Sequence, residues 1–131
     1  MALTIAQTAL ETCTADGYNV SVTVVGRIGE LLVQVRGDSA SPHTIENSFR
    51  KAYTARTFRT PSGEFATRMM KPGGPAGAAT NLSNIIAARG ALPIKAGDDF
   101  IGAVGVSGAP GGDKDEACAE AGLDKVADQL K

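Results

Sequence analysis

His43 is the only histidine among the 131 residues. Ser41-Pro42 just before it reads as a helix opening, with serine as cap and proline at the first helical position. His43 then lies in the first turn, where the positive helix end disfavours an imidazolium and leaves a neutral ring with a free nitrogen pair. A single histidine cannot make a zinc site, which needs three or four ligands. Arg36, Lys51 and Arg56 are the side chains best suited to pair with a ligand's carboxylates, arginine through its planar fork of donors. No nucleophile is assembled. Ser107 in Val-Ser-Gly lacks the first glycine of a Gly-x-Ser-x-Gly elbow at the right offset. Cys118 sits on the apolar face of a predicted helix, away from a dyad with His43, and Asp98-Asp99 belong to a turn. Asp113, beside a glycine-lined pocket, is the one candidate base, and the sequence supplies it with no partner.

That pocket would be built by the stretch Phe100-Ile-Gly-Ala-Val-Gly-Val-Ser-Gly-Ala-Pro-Gly-Gly-Asp113. It begins as a strand with Ile101, Ala103, Gly105 and Ser107 on one side and Gly102, Val104, Val106 and Gly108 on the other. Glycine inside a strand marks the close approach of a backbone, a helix or a ligand, so Gly105 and Gly108 are candidate lining positions. Gly102, Gly105 and Gly108 are spaced by three, which is not the dinucleotide fingerprint, and no Gly-Lys-Ser/Thr completes a phosphate loop. Asp113 would also repel phosphate from the start of the helix that it is placed to cap, with Glu116 closing a capping box.

The run Ile101-Gly-Ala-Val-Gly-Val-Ser-Gly108, followed by Asp113, Ala119 and Ala121-Gly-Leu123, resembles the C-terminal signature of the GlcG/HbpS-like family of haem-binding proteins, which includes the C-terminal domain of PduO. Val20-Ser-Val-Thr-Val-Val25, Gly29-Glu-Leu31 and Arg36-Gly-Asp38 are similar to its first hairpin, Lys51-Ala-Tyr-Thr-Ala55 to its Lys-Ala-x-Thr-Ala helix, and Pro93-Ile94 to the approach to its last hairpin. The match runs in order over nearly the whole chain. Arg27-Ile28 replaces a common acidic turn residue, and Ala91 a usual glycine. The resemblance implies a homo-oligomer that binds haem or a related tetrapyrrole, linked to haem degradation and redox sensing. On that reading His43 is the candidate iron ligand, with Tyr53 or Tyr18 as oxygen alternatives and Met69-Met70 as a thioether source. Arg36, Lys51 and Arg56 would meet the propionates. The alternative is an enzyme or accessory subunit acting on a small carboxylated or aromatic metabolite in the glycine-rich pocket, and an assembly module without ligand is the third reading.

One domain spanning 1–131 is expected from the length, with a core resting on Val, Ile, Leu and Ala because tryptophan is absent. A formal charge of −1 makes no case for nucleic acid or an anionic membrane. Charge is nevertheless uneven: Arg50, Lys51, Arg56, Arg59, Arg68 and Lys71 face only Glu64, which suggests either a solvated basic surface or a local site for carboxylates. Cys13 and Cys118 fall in helices far apart in sequence, with no Cys-x-x-Cys and no disulfide framework. Cys13 therefore reads as a small core residue. With no basic leader followed by an apolar run and no stretch long enough to cross a membrane, the expected location is the reducing cytoplasm.

The elements that must position these residues follow from periodicity. Residues 4–16 predict a helix capped by Thr4 and ended by Gly17, with Ile5, Ala6, Ala9, Leu10 and Cys13 on its apolar stripe. Val20, Val22 and Val24, then Leu31, Val33 and Val35, predict a hairpin with one apolar face. The Ser41-Pro42 helix presents Ile45, Phe49 and Ala52 to the core, with Arg50 and Lys51 off that stripe. A short helix is expected over 63–70, and residues 71–82 form an ordered loop over a site or interface. Strands follow at 84–88, 92–95 and in the glycine-rich run, and the last helix starts at Asp113 with a break at Gly122. These elements predict an α+β domain with an antiparallel sheet of about five strands and helices mainly on one face.

Overall fold

β1 (Ser21–Val25) and β2 (Leu31–Arg36) form the hairpin that the alternating valines predict. β4 (Asp99–Ser107) pairs antiparallel with the other side of β1, and β3 (Ala91–Ala96) with β4, giving the order β2-β1-β4-β3. Around this sheet lie α1 (Ala2–Ala15), α2 (His43–Phe58), α3 (Ser62–Met70) and α4 (Gly112–Lys125), followed by a 3-10 turn at Ala127–Leu130. This computed structural model describes residues 1–73 and 79–131, so the centre of the 71–82 loop lies outside the described residues. The antiparallel α+β class is as expected, with four strands among the described residues in place of about five.

Asn84–Ala88 does not form a strand. Its backbone is satisfied by α2 instead: the Arg50 guanidinium donates to Ile85 O at 2.8 Å, and Ile86 N–H donates to Thr54 Oγ1 at 2.9 Å. Ile85 is buried beside Phe65 and Met69, which fixes the segment without a strand neighbour.

The helices occupy both faces of the sheet rather than mainly one. α1 and α4 cover the face of Val22, Val24, Val104 and Val106. α2 covers the opposite face, against Val25, Ala91 and Ala103. All five residues of β1 are buried, including Ser21 and Thr23, which alternation would send to solvent. Their hydroxyls meet α2 hydroxyls, Ser21 with Thr44 at 2.9 Å and Thr23 with Ser48 at 2.7 Å. Paired hydroxyls can be buried at little cost, so a polar strand face and a polar helix face make an interior layer. The buried stripe of α2 is accordingly Thr44, Ser48, Lys51, Ala52 and Ala55, rotated from the predicted one, and Ile45 is exposed.

Glycine 105 explains how α2 comes this close. A Cβ there would collide with Ser48 O and stand 2.8 Å from Ala52 N, so helix backbone fills the space of the absent side chain. Replacing Gly105 by valine should destabilise the fold by about 1–3 kcal/mol through overpacking. The exposed substitution Lys114→Ala should change little, and equal melting temperatures for the two variants would refute the close-approach role.

Other local expectations shift. α1 starts at Ala2, without a Thr4 cap, and α4 starts at Gly112, with no side-chain bond from Asp113 to its end. Gly122 does not break α4. A Cβ there would lie 2.6 Å from Ile5 O, so the glycine is where α4 touches α1. The register of β1 and β2 slips by one at Val24/Val25, pairing Leu31 with Val25 and taking it out of alternation with Val33 and Val35. Where no disulfide was expected, Cys13 and Cys118 form one, with an S–S distance of 2.06 Å across a sequence separation of 105. Packing α1 beside α4 on one face brings together two cysteines whose separation hides their pairing.

Candidate functional site

α2 positions most of the chemistry. His43, Glu46, Asn47 and Arg50 fall at i, i+3, i+4 and i+7, which places them along one side of the helix. Together they line an open cleft of about 210 Å³. His43 is exposed at its N-terminal end. Asn47 Nδ2 donates to Ser107 Oγ at 2.8 Å, tying the cleft to the end of β4. Arg50 is anchored by its bond to Ile85 O, and its buried Nε has no partner among the described residues. An imidazole and an underused guanidinium thus share one cleft two helical turns apart. The heptad spacing from His43 was the signal for Arg50, which charge counting alone placed in a general basic region.

The other basic candidates are spread over different places. Arg36 is exposed at the end of β2, and its guanidinium donates to Ala40 O at 2.8 Å. Arg56 lines a second cleft of about 240 Å³ with Arg59, Asp98 and Asp99, and its buried Nε also lacks a partner among the described residues. Asp99 is bonded to Arg27 at 2.8 Å; that hydrogen bond holds its carboxyl below the usual range. Lys51 is buried and already engaged. Its ammonium donates to Asp115 Oδ2 and to Val106 O, each at 3.0 Å. Asp115, which sequence reasoning passed over, also accepts from Ala109 N–H at 2.9 Å. Burial pushes the Asp115 carboxyl up, against the pull of the Lys51 charge and these hydrogen bonds. The trio joins α2, the end of β4 and the start of α4 as a structural clasp.

The remaining candidates do not converge on His43. Tyr53 packs in the Phe65 cluster, 5.9 Å from the Phe49 ring, with its own ring filling the space above Gly29. Tyr18 is half-buried with Lys114 over its ring at 5.9 Å. Met69 is in the core and Met70 is exposed. Asp113 is exposed. Gly105 is filled by α2, and a Cβ at Gly108 would collide with Asn19 O. Protein atoms therefore occupy the space at both glycines that a ligand pocket would need.

The family described as haem degrading protein HbpS-like matches residues 1–124. A double Glu-to-Asp mutant of Streptomyces reticuli HbpS is 36% identical, with a TM-score of 0.89 over 95% of this chain and 83% of that one. Klebsiella pneumoniae protein ORFY is 28% identical, with a TM-score of 0.88 over 96% of this chain and 87% of that one. The complex of PduOC with haem shares the fold at 21% identity, with a TM-score of 0.85 over 93% of this chain and 88% of that one. No curated protein matches the chain.

Proposed function

Because the chain belongs to the HbpS-like haem-degrading protein family, we propose that it binds haem or a related tetrapyrrole, with His43 as the iron ligand. The observation that carries this reading is the α2 cleft, where the sole imidazole and the Arg50 side chain line one wall. The donor set fits one edge of the group: a nitrogen for iron and a guanidinium for a propionate carboxylate. Arg50 takes that role in preference to Lys51, whose charge is spent on Asp115. When bound, haem supplies a redox-active iron; the chain's residues hold and orient it. The cleft is smaller than the roughly 300–1,000 Å³ of an enclosed small-molecule site, which supports a second wall supplied by another chain.

Titrating the purified protein with haemin and following the Soret band tests this. Saturable binding is expected. His43→Ala should shift the Soret and visible bands, since the axial ligand sets the iron's electronic state. Arg50→Gln should weaken binding about tenfold, about 1.4 kcal/mol, without moving the bands. An unchanged spectrum in His43→Ala transfers ligation to Tyr18, Tyr53 or a methionine, and no binding by the unmutated protein ends the haem reading.

Self-association is part of the proposal. Leu31 and Leu32 on edge strand β2 are 54% and 52% exposed, and Ile28 in the adjoining turn is 83% exposed. The other edge, β3, carries Pro93, which blocks strand addition, whereas β2 has no such guard. Light scattering should show an oligomer that Leu31→Glu dissociates; a monomer at micromolar concentration would remove this part. Among the described residues no helix is long and apolar enough to cross a membrane. Part of the ground for expecting the cytoplasm was that the sequence shows no disulfide framework. The disulfide favours an oxidising compartment instead.

A further inference from the structure

A cavity of about 490 Å³ lies between α3 and the start of α4, away from the His43 cleft, and is lined by Glu64, Thr67 and Arg68 of α3 together with Arg89 and Glu116. Arg89 is built into it. A Cβ on Gly63 would stand 2.6 Å from Arg89 Cγ, and one on Gly112 2.7 Å from Arg89 Cβ, so these two glycines form the channel for its stem. Its guanidinium ends on Glu116 at 2.8 Å. That pair neutralises itself and leaves one cation and one anion on the α3 wall.

Those two groups are Glu64 and Arg68, spaced i, i+4 with the acid N-terminal, the arrangement that pairs best on a helix. They are not paired. Glu64 accepts from Thr60 Oγ1 at 2.7 Å through one carboxylate oxygen. Arg68 has no hydrogen bond or ion pair among the described residues. The lining is neutral in sum, so a net anion or a net cation gains little from it. A small molecule that carries both charges engages both free groups.

We propose that this cavity binds a small zwitterion of the amino-acid class, its carboxylate on the Arg68 fork and its ammonium on Glu64. The site is independent of haem binding. Amide chemical shifts of the full chain, titrated with L-alanine, propionate and ethylammonium, provide the test. L-alanine should saturate shifts at Thr67, Arg68, Arg89 and Glu116, and each single-charge analogue should bind about tenfold more weakly. Arg68→Gln and Glu64→Gln should each weaken L-alanine binding by a similar factor at an unchanged melting temperature, because both side chains are exposed. Propionate binding as well as L-alanine overturns the proposal in favour of a plain carboxylate site. Absence of any shift at millimolar L-alanine, or binding by both variants as tight as by the unmutated chain, overturns it outright.

Discussion

Replacing both Cys13 and Cys118 by alanine, or reducing their bond, should lower stability by about 4–5 kcal/mol, the chain-entropy value for a loop of this length. The bond closes a separation of 105 residues, which encompasses the whole sheet and α2. Without it the unfolded chain regains the freedom that the crosslink removes, while α1 and α4 still pack through Ile5, Ala6, Ala9 and Ala119. The fold should therefore survive with a much lower denaturation midpoint. Both sulfurs lie in the core, so reduction should be slow below the unfolding transition and fast within it. Denaturant titration with and without reductant measures the difference. Coincident midpoints, with thiol labelling confirming that the bond was broken, would show that it adds nothing.

Lys51→Met should cost about 3–5 kcal/mol, as expected when one member of a buried ion pair is removed and the other stays. Asp115 would remain inside, held only by Ala109 N–H, and Val106 O would lose the hydrogen bond from Lys51. The double variant Lys51→Met/Asp115→Asn should recover more than half of that loss, because the amide still accepts from Ala109 N–H and no charge is stranded. Equal losses in the single and double variants would mean that packing of the lysine stem, not the charge, is what matters. The pair also carries a pH signature. Burial raises the Asp115 carboxyl above its unfolded value. The folded state thus holds this proton to higher pH than the unfolded chain. Its contribution is fully present below the ordinary aspartate range and is lost as pH rises through the raised value. Asp115→Asn should remove that decline from the stability–pH curve.

Much of the architecture was legible because it is local. Val20 to Val24 and Leu31 to Val35 announce a hairpin, Ser41-Pro42 a helix start, and Gly17 a helix end. The glycine at 105 pointed to a close approach on its face, and α2 is what approaches. His43 was placed in the first turn of α2 from Ser41-Pro42 alone, and the family resemblance rested on motifs spread in order along the chain.

Local pattern was enough for the four strands of the sheet and the helices around it, the two faces of β4, the family, and the residue types that can serve a ligand, but not for 84–88, which reads as a strand and is none. Tertiary structure decided which of them meet. Ser21 and Thr23 look solvent-facing until Thr44 and Ser48 supply partners, so the second helical layer could not be read from hydrophobic alternation. Lys51 looks like a free cation until Asp115, 64 residues away, neutralises it. The same holds for Cys13 with Cys118, and for Arg50, whose anchor on Ile85 exists only because 84–88 lies against α2 rather than extending the sheet. Period and propensity record the surroundings of each residue within a few turns. Pairings across the chain depend on which faces the packed layers bring together, and burial makes those pairings compulsory for every polar group they enclose.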